Sequence, residues 1–154
     1  MAAVHLIKTY CLPILTYGCE AWTLSERSLH TVSVVWNNCF RSIFRCCWRE
    51  STRPLQYYCN VLPLSYLIDQ RRLLFWQNTH CSDNLVLRTL SALKDNTFVA
   101  IGSKYDISSY NVSVKSAVWN LFAMSLESVL NIFAVFIVLL LYFTVYIVCC
   151  CLMA

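Results

Sequence analysis

The end of the chain contains no charged residue from Ser128 to Ala154. Within this segment, residues 132–153 are apolar or weakly polar, and Thr144 is the main interruption besides tyrosines and cysteines. As a helix this run is about 33 Å long at about 1.5 Å per residue, which matches the roughly 30 Å core of a bilayer. It also lacks the periodic polar face of a surface helix. The sequence therefore predicts one C-terminal transmembrane helix in a hydrophobic segment, residues 128–154.

The composition agrees with a membrane segment attached to a small body. The chain has 154 residues, of which 58% are hydrophobic and 13% charged, whereas a typical soluble domain has roughly 25% charged residues. Residues 1–127 are enough for one small domain. An alternative for residues 128–154 is an apolar extension that aggregates, because its many β-branched side chains also suit β-aggregation.

The positive charge is concentrated in one part of the chain. The formal net charge is +4. The basic residues of the segment 41–72 are Arg41, Arg45, Arg49, Arg53, Arg71 and Arg72. Since this segment has only two acidic residues, it accounts for the whole net charge, and the rest of the chain is neutral. Such a local excess indicates a basic surface patch rather than a general bias of composition.

An amphipathic helix is predicted from Thr23 to about Arg49. Thr23 and Glu26 have the spacing of a capping box at its beginning. Its buried face is predicted from residues that recur at steps of three or four. These residues are Leu29, Val32, Trp36, Phe40, Ile43 and Cys47. Pro54 is expected to stop helical structure, so that Arg53 lies at or beyond the end of this helix.

Four arginines recur at steps of four along the same helix. They are Arg41, Arg45, Arg49 and Arg53. Residues at this spacing lie one above another on a helix, so they are predicted to form one cationic stripe. Because guanidinium groups pair bidentately with phosphates, the stripe is a candidate nucleic-acid-binding site. The alternatives are a solvated helix flank and a contact with anionic lipid headgroups.

Further helices are predicted in the rest of residues 1–127. They span residues 2–22, 64–77, 83–94 and 109–127. Gly18 is expected to stop the first of them and Asp83 to cap the third, while residues 95–109 are predicted to form a loop. The side chains expected to face inward from the second and third are Leu67, Ile68, Leu74, Phe75, Val86, Leu90 and Leu93. The tryptophans at 22, 36, 48, 76 and 119 are expected in the core. The predicted fold class is all-α.

The front half of the chain carries four strings that resemble one known family. They are YCLPILTYGCEAW at residues 10–22, WNNCFRSIF at 36–44, WRES at 48–51 and LPLSYL at 62–67. In content and order they resemble blocks that follow the palm of non-LTR (LINE-type) retrotransposon reverse transcriptases. The resemblance covers about residues 2–77 and, more weakly, 112–125. It implies a truncated, helical thumb and post-thumb region that grips a template–primer duplex through its backbone.

The chain departs from this family where polymerase chemistry takes place. Polymerases need paired carboxylates that hold two metal ions, and a Tyr-x-Asp-Asp type of motif is absent from the sequence. Cys46-Cys47 also stands where relatives have a turn-like glycine or a basic residue. No catalytic residue, cofactor, metal site or small-molecule substrate is predicted, since the histidines and cysteines do not have zinc-ligand spacing. The chain is therefore not expected to be an enzyme.

Two functional hypotheses follow from the sequence. The leading one is a non-catalytic fragment of a reverse transcriptase with at most weak, non-specific nucleic-acid binding through the four arginines. The alternative is a tail-anchored, single-pass membrane protein that contacts lipid through residues 132–153. Since all Lys and Arg residues precede the apolar run, the positive-inside tendency would place residues 1–127 in the cytosol. In that topology the glycosylation sequon Asn111-Val112-Ser113 stays unmodified.

Overall fold

The computed structural model describes residues 2–20, 22, 24–93 and 95–152, with side chains as far as Leu140 except those of Leu93 and Asp95. These described residues form helices and loops, and no strand occurs among them. The prediction of an all-α fold is confirmed. The chain divides into two compact units, residues 1–122 and 123–154. We call the described part of the first unit the body and that of the second unit the tail.

Short helices follow one another closely along the body. They are α1 (Ala2–Leu6), α2 (Leu12–Leu15), α3 (Glu26–Phe44), α4 (Arg53–Tyr58), α5 (Leu64–His80), α6 (Leu85–Leu93) and α7 (Asp95–Gly102), and α8 (Val114–Leu152) begins in the body. A π-helix, Ile7–Cys11, connects α1 to α2, and a 3-10 helix, Ser103–Tyr105, follows α7. The predicted helix stop near Gly18 is confirmed, because this residue has φ +73° in the turn after α2.

The beginning of α3 differs from the predicted capping box. Its N-cap is Ser25, whose hydroxyl accepts a hydrogen bond from the backbone N–H of Ser28 at 3.1 Å. The predicted cap, Thr23, lies outside the described residues. Five members of the predicted apolar face are buried or packed against the core, namely Leu29, Val32, Trp36, Phe40 and Ile43. The predicted face is therefore confirmed except for Cys47, which is exposed beyond the end of the helix.

The end of α3 was placed too late by the sequence pattern, at about Arg49 instead of Phe44. Arg45 has a left-handed conformation, with φ 53° and ψ 37°, and forms the C-cap. The N–H of Cys46 donates to the carbonyl of Arg41 at 3.0 Å, which is the 6→1 bond of a Schellman motif. Because the left-handed residue breaks the helical path, the residues that follow it do not extend the face of α3.

A buried cluster joins α1, α3 and α5. Its members are Val4, Cys19, Trp36, Phe40, Val61, Leu64 and Ile68. The rings of Trp36 and Phe40 meet edge to face with their centroids 5.4 Å apart, an arrangement that the quadrupoles of aromatic rings favour. Arg72 ties the turn after α2 to α5, since its guanidinium donates to the carbonyls of Cys19 at 2.9 Å and Trp22 at 2.8 Å.

α5 is longer than predicted and buries a different set of side chains. It ends at His80 rather than Gln77, and its buried residues are Leu64, Ile68, Leu73 and Thr79. Of the predicted inward set, Ile68 is buried and Leu67 packs against the core, whereas Phe75 is exposed. The prediction assumed one apolar face, but α5 contacts α3, α6 and α7 and is therefore covered on more than one side.

The helix predicted at residues 83–94 is confirmed as α6 (Leu85–Leu93), but its cap, its inward face and the loop predicted at residues 95–109 are wrong. The N-terminus of α6 is capped by Asn84 and not by Asp83, since the Asn84 side chain accepts from the N–H of Val86 at 2.9 Å. Val86 and Leu90, predicted to face inward, are exposed. Residues 95–109 are not a plain loop, because they contain α7 and the 3-10 helix. The apolar residues of α6 recur at helical spacing, but this spacing alone does not establish that another helix covers them.

The first turns of α8 are held in the body by aromatic contacts. Tyr57 of α4 stacks on Trp119 with centroids 5.7 Å apart, and Tyr66 of α5 lies 5.6 Å from Phe122. Val118 and Phe122 are fully buried. α8 begins at Val114 rather than near residue 109 and continues without interruption to Leu152. The predicted final body helix and the predicted transmembrane helix are therefore parts of one helix.

Candidate functional site

The four arginines of the predicted stripe do not share one helix face, so that part of the prediction is wrong. Arg41 lies in the last turn of α3, and Arg45 forms its left-handed C-cap. Arg49 lies in the loop between α3 and α4, and Arg53 is the first residue of α4. The helix ends inside the series because Arg45 leaves the right-handed conformation. The structure replaces the stripe by two smaller groups.

The first group is defined by exposure alone, since Arg45 and Arg49 are both exposed and do not line a cleft with Arg41 and Arg53. The guanidinium of Arg49 lies over the ring of Trp48, 5.0 Å from its centroid, within the usual range of a cation–π contact. Trp48 is 72% exposed and Trp22 is also exposed, so the prediction that these two tryptophans lie in the core is wrong. Trp36, in contrast, is buried as predicted.

The second group is formed by Arg41 and Arg53, which line the same cleft of about 280 Å³. The residues that line this arginine cleft are Ser33, Asn37, Arg41, Ser51, Thr52, Arg53, Gln56, Pro63, Leu64 and Ser65. They come from α3, from the loop before α4, from α4 and from the beginning of α5. No acidic side chain occurs among these lining residues, so the cleft carries the charge of two guanidinium groups.

The two arginines of the cleft are held differently. Arg41 donates from Nη1 to the side-chain oxygen of Asn38 at 2.9 Å and from Nη2 to the carbonyl of Glu50 at 3.4 Å. Its Nε is buried and has no hydrogen-bond partner among the described residues. Arg53 is exposed, and in the described part of the chain its guanidinium forms no ion pair. Both groups therefore keep hydrogen-bond donors that an anion could use.

The polar side chains of the arginine cleft were not predicted from the sequence. Gln56 is fully buried, and its Nε2 donates to Oδ1 of Asn37 at 2.9 Å, while its Oε1 has no partner among the described residues. Thr52 precedes Arg53-Pro54 at the start of α4. A Ser or Thr followed by Pro at a first helical turn is a recognised start signal, and it could have indicated a new helix here.

Between residues 129 and 140 the tail presents exposed apolar side chains. From residue 129 to 140 every Val, Leu, Ile and Phe is exposed. The helical stretch Val114–Leu140 reaches a mean hydropathy of 2.2 over a window of which 6% is buried. α8 is therefore long and apolar enough to cross a membrane, as the sequence predicts. The charged residues Lys115 and Glu127 lie near its beginning.

A third polar group surrounds Asp69 of α5. The phenol of Tyr105 donates to its carboxylate at 2.6 Å and the ammonium of Lys104 at 2.7 Å. Burial, together with the hydrogen bond to this carboxylate, raises the pKa of Tyr105 far above its usual value. Lys104 also lies 5.4 Å from the ring centroid of Tyr66. Both donors reach the same carboxylate oxygen, Oδ2 of Asp69, and these contacts fix the 3-10 helix on α5, so the group is structural.

The described residues offer little that could hold a metal or a cofactor. They contain no group of three or more His, Cys, Asp or Glu side chains arranged around a common point. A cleft larger than the arginine cleft, of about 480 Å³, is lined by Lys8 and Lys115 among others. Lys8 already donates to the carbonyl of Asn60 at 3.1 Å, so its ammonium belongs to the packing of the N-terminal segment.

The chain has no match among models of known protein families, among curated proteins or among solved structures. The resemblance of residues 2–77 to reverse transcriptases therefore stays a prediction from the four strings. The features of the described residues that bear on function are the arginines and the exposed apolar part of α8.

Proposed function

We propose that this chain is a membrane-anchored helical protein without enzymatic activity. The apolar part of α8 crosses a bilayer once and holds the body at the membrane surface. The observation that supports this proposal is the exposure of every large apolar side chain from residue 129 to 140. In water such a surface is strongly unfavourable, whereas a continuous helix satisfies its backbone hydrogen bonds inside lipid.

The proposed topology places the body in the cytosol. All Lys and Arg residues precede the tail, the last of them being Lys115. Positively charged segments next to a transmembrane helix favour the cytoplasmic side. The residues that follow the membrane-spanning part of α8 then lie on the opposite side of the membrane.

Fractionation of membranes with alkaline carbonate tests the anchor. The full-length chain is expressed in cells, and the washed membranes are extracted alongside one integral and one peripheral marker protein. The chain is expected in the membrane pellet with the integral marker. Its quantitative release into the supernatant with the peripheral marker excludes a membrane-spanning tail. Recovery in a pellet that a non-denaturing detergent fails to dissolve indicates aggregation and also contradicts the proposal.

Weak, non-specific binding to a nucleic-acid backbone is a second candidate function. It is favoured by the exposure of Arg45, Arg49 and Arg53, which form no ion pair in the described part of the chain. Phosphate contacts provide affinity without selecting a sequence. Together with the strings at residues 10–67, this supports the proposal of a non-catalytic, thumb-like fragment. Arg41 contributes less to a large ligand because it is half-buried in the arginine cleft.

A salt titration with matched variants tests this second candidate. The full-length chain in detergent micelles is titrated with an RNA–DNA duplex at rising salt, and Arg45→Ala/Arg49→Ala is compared with Arg27→Ala/Arg88→Ala. Both pairs remove two exposed arginines, but only the first lies in the proposed contact. The first pair is expected to reduce the slope of log affinity against log salt by about two and the second to leave it unchanged. Equal effects of the two pairs would reject a localised contact.

A further inference from the structure

We propose that the arginine cleft is a binding site for a phosphate dianion, either inorganic phosphate or the terminal phosphate of a small monoester. The cleft lies where the end of α3, the beginning of α4 and the beginning of α5 meet. This inference goes beyond membrane anchoring and duplex binding, because it concerns a small ligand inside the body. It rests on the charge, the donors and the size of the cleft.

The charge of the cleft suits a doubly negative ligand. Arg41 and Arg53 contribute two positive charges, and no carboxylate lies among the lining residues. A phosphate monoester carries a charge between −1.5 and −2 at about pH 7. Guanidinium groups offer planar, paired N–H donors that match the oxygens of phosphate. A ligand with one negative charge would leave part of this positive charge uncompensated.

The donors of the cleft come from several independent parts of the chain. Ser51, Thr52 and Ser65, which carry hydroxyl groups, are among its lining residues, and the hydroxyl of Ser51 accepts from the N–H of Arg53 at 3.4 Å. The N-cap of α5 is Pro63, whose side chain makes no capping hydrogen bond, so the first N–H groups of this long helix lack a capping partner. A helix N-terminus attracts anions through these N–H groups and through its dipole. Hydroxyls, guanidinium groups and backbone N–H groups thus border one space.

Gln56 supplies the observation that points most directly to a ligand. This residue is 0% exposed and lines the cleft, yet its Oε1 has no hydrogen-bond partner among the described residues. A buried polar atom without a partner is unfavourable by about 1–3 kcal/mol. The P–OH group of inorganic phosphate can donate to this oxygen. A fully ionised monoester has no P–OH group and needs a donor at this position. If the side-chain amides of Gln56 and Asn37 both rotate by about 180°, Asn37 donates to Oε1 of Gln56, and Nε2 of Gln56 becomes a donor to the ligand.

The size of the cleft limits what it can take. Its volume of about 280 Å³ is just below the roughly 300–1,000 Å³ range of pockets for drug-sized ligands. A phosphate group with a small substituent fits this space, whereas a duplex can contact only its opening. The arginine cleft is therefore assigned to a small phosphate compound and not to a polymer.

A titration of the full-length chain in detergent micelles tests the assignment. Inorganic phosphate and glycerol 3-phosphate are titrated separately by calorimetry at constant ionic strength, with chloride as the reference anion. Saturable binding of phosphate with one site per chain is expected, and the monoester arm tells whether a substituted phosphate is also accepted. Absence of saturable binding in both arms overturns the proposal, irrespective of whether the tail inserts into membranes.

Matched substitutions locate the bound anion. Arg53→Gln removes an exposed guanidinium that lines the cleft, and Arg49→Gln removes an exposed guanidinium that does not line it. Arg53→Gln is expected to weaken phosphate binding by about tenfold to a hundredfold, and Arg49→Gln by less than about twofold. Equal weakening by the two variants contradicts a site in the cleft and indicates general attraction to the basic segment.

A substitution that keeps the charge separates geometry from electrostatics. Arg41→Lys retains the positive charge but loses the planar pair of N–H donors. We expect it to weaken phosphate binding by about tenfold while the circular dichroism spectrum and the melting temperature of the body stay close to those of the parent chain. Unchanged affinity in a folded variant contradicts the bidentate contact. If this variant unfolds, Arg53→Gln, whose side chain is exposed, decides the question alone.

Discussion

Two phenylalanines that are fully buried in the body contrast with two that are exposed in the tail. In the body Phe40 and Phe122 are 0% exposed, and in the tail Phe133 and Phe136 are 61% and 59% exposed. All four residues have the same apolar side chain. The difference is therefore not one of side-chain chemistry but of what is available to cover the side chain.

The body covers a central set of its apolar residues with its own helices, although others, such as Ile14, Val86 and Val99, are exposed. Trp36, Phe40, Leu64 and Ile68 belong to one cluster between α3 and α5, and burial of such side chains contributes about 1.5–3 kcal/mol each. In the tail one helix has no second helix of its own unit to pack against. A lipid bilayer can cover such a helix on all sides, and this is the physical reason for assigning it to a membrane.

Two arginines within the apolar run have the largest expected effect on the tail. In Phe136→Arg/Leu139→Arg each charge opposes insertion of the helix, by up to the roughly 2.5–3.5 kcal/mol that applies at a central position. The double variant is expected in the alkaline supernatant after carbonate extraction. The control Phe136→Leu/Leu139→Val keeps the run apolar and is expected in the pellet. Persistence of the double-arginine chain in the membrane contradicts a spanning role for this part of α8.

The substitution Phe40→Ala has the largest expected effect on the body. Removal of a fully buried aromatic ring lowers the free energy of unfolding by about 3–5 kcal/mol. The matched change Phe133→Ala in the tail is expected to leave unfolding of the body unchanged, because that ring is exposed. Denaturant titration in detergent, followed by tryptophan fluorescence, measures both. Similar losses for the two variants would show that the distinction between the units is wrong.

Tyr105 gives the stability of the body a dependence on alkaline pH. Burial raises its pKa above the usual value, so folding favours the neutral phenol. The contribution of Tyr105 to the free energy of unfolding is complete below about pH 10, which is the pKa of tyrosine in an unfolded chain. This contribution is lost as the pH rises further towards the pKa of Tyr105 in the folded chain. Tyr105→Phe should lose about 1–2 kcal/mol at neutral pH through the missing hydrogen bond to Asp69.

Unfolding measurements at pH 8 and pH 11 check this dependence. The parent chain is expected to lose more stability between the two values than Tyr105→Phe. Tyr58→Phe is the control, since Tyr58 is exposed and its removal should leave the pH dependence unchanged. An identical loss for Tyr105→Phe and the parent contradicts the role given to the buried phenol.

The N-cap of α3 has the smallest of these expected effects. Ser25→Ala removes the acceptor for the N–H of Ser28 and should lower the free energy of unfolding by about 1 kcal/mol. Ser25→Thr keeps a hydroxyl and should retain most of the free energy of unfolding that Ser25→Ala loses. Thr23→Ala, at the cap predicted from the sequence, is expected to change stability by less than about 0.5 kcal/mol. A larger loss for Thr23→Ala than for Ser25→Ala favours the predicted capping box over Ser25.

Long periodic patterns were the most informative part of the sequence. The apolar face of α3 and the long apolar helix of the tail are found where they were predicted, because burial and composition act over many residues. The end of α3 was missed since it depends on one residue, Arg45, in a left-handed conformation that non-glycine residues rarely adopt. The inward face assigned to α6 failed because a regular apolar pattern does not tell whether another helix will cover it, and in the body Val86 and Leu90 are exposed.

The arginine cleft could be predicted only in part. Arg41 and Arg53 were both candidate binding residues, but for the wrong reason, since they meet through a break between α3 and α4 and not along one helix. Gln56 and Ser65 gave no signal, because their position in the cleft depends on how α4 and α5 fold back against α3. Such contacts between distant residues are not encoded in local periodicity.

The central claim is that α8 crosses a membrane with the body in the cytosol, and glycosylation mapping tests it most directly. The chain already has an exposed sequon at Asn111, and a second sequon is appended on a polar extension after Ala154. After translation with microsomes, we expect one glycan on the C-terminal sequon and none on Asn111. A glycan on Asn111 would contradict the cytosolic body, and a chain without any glycan that carbonate extracts from the microsomes would contradict membrane insertion itself.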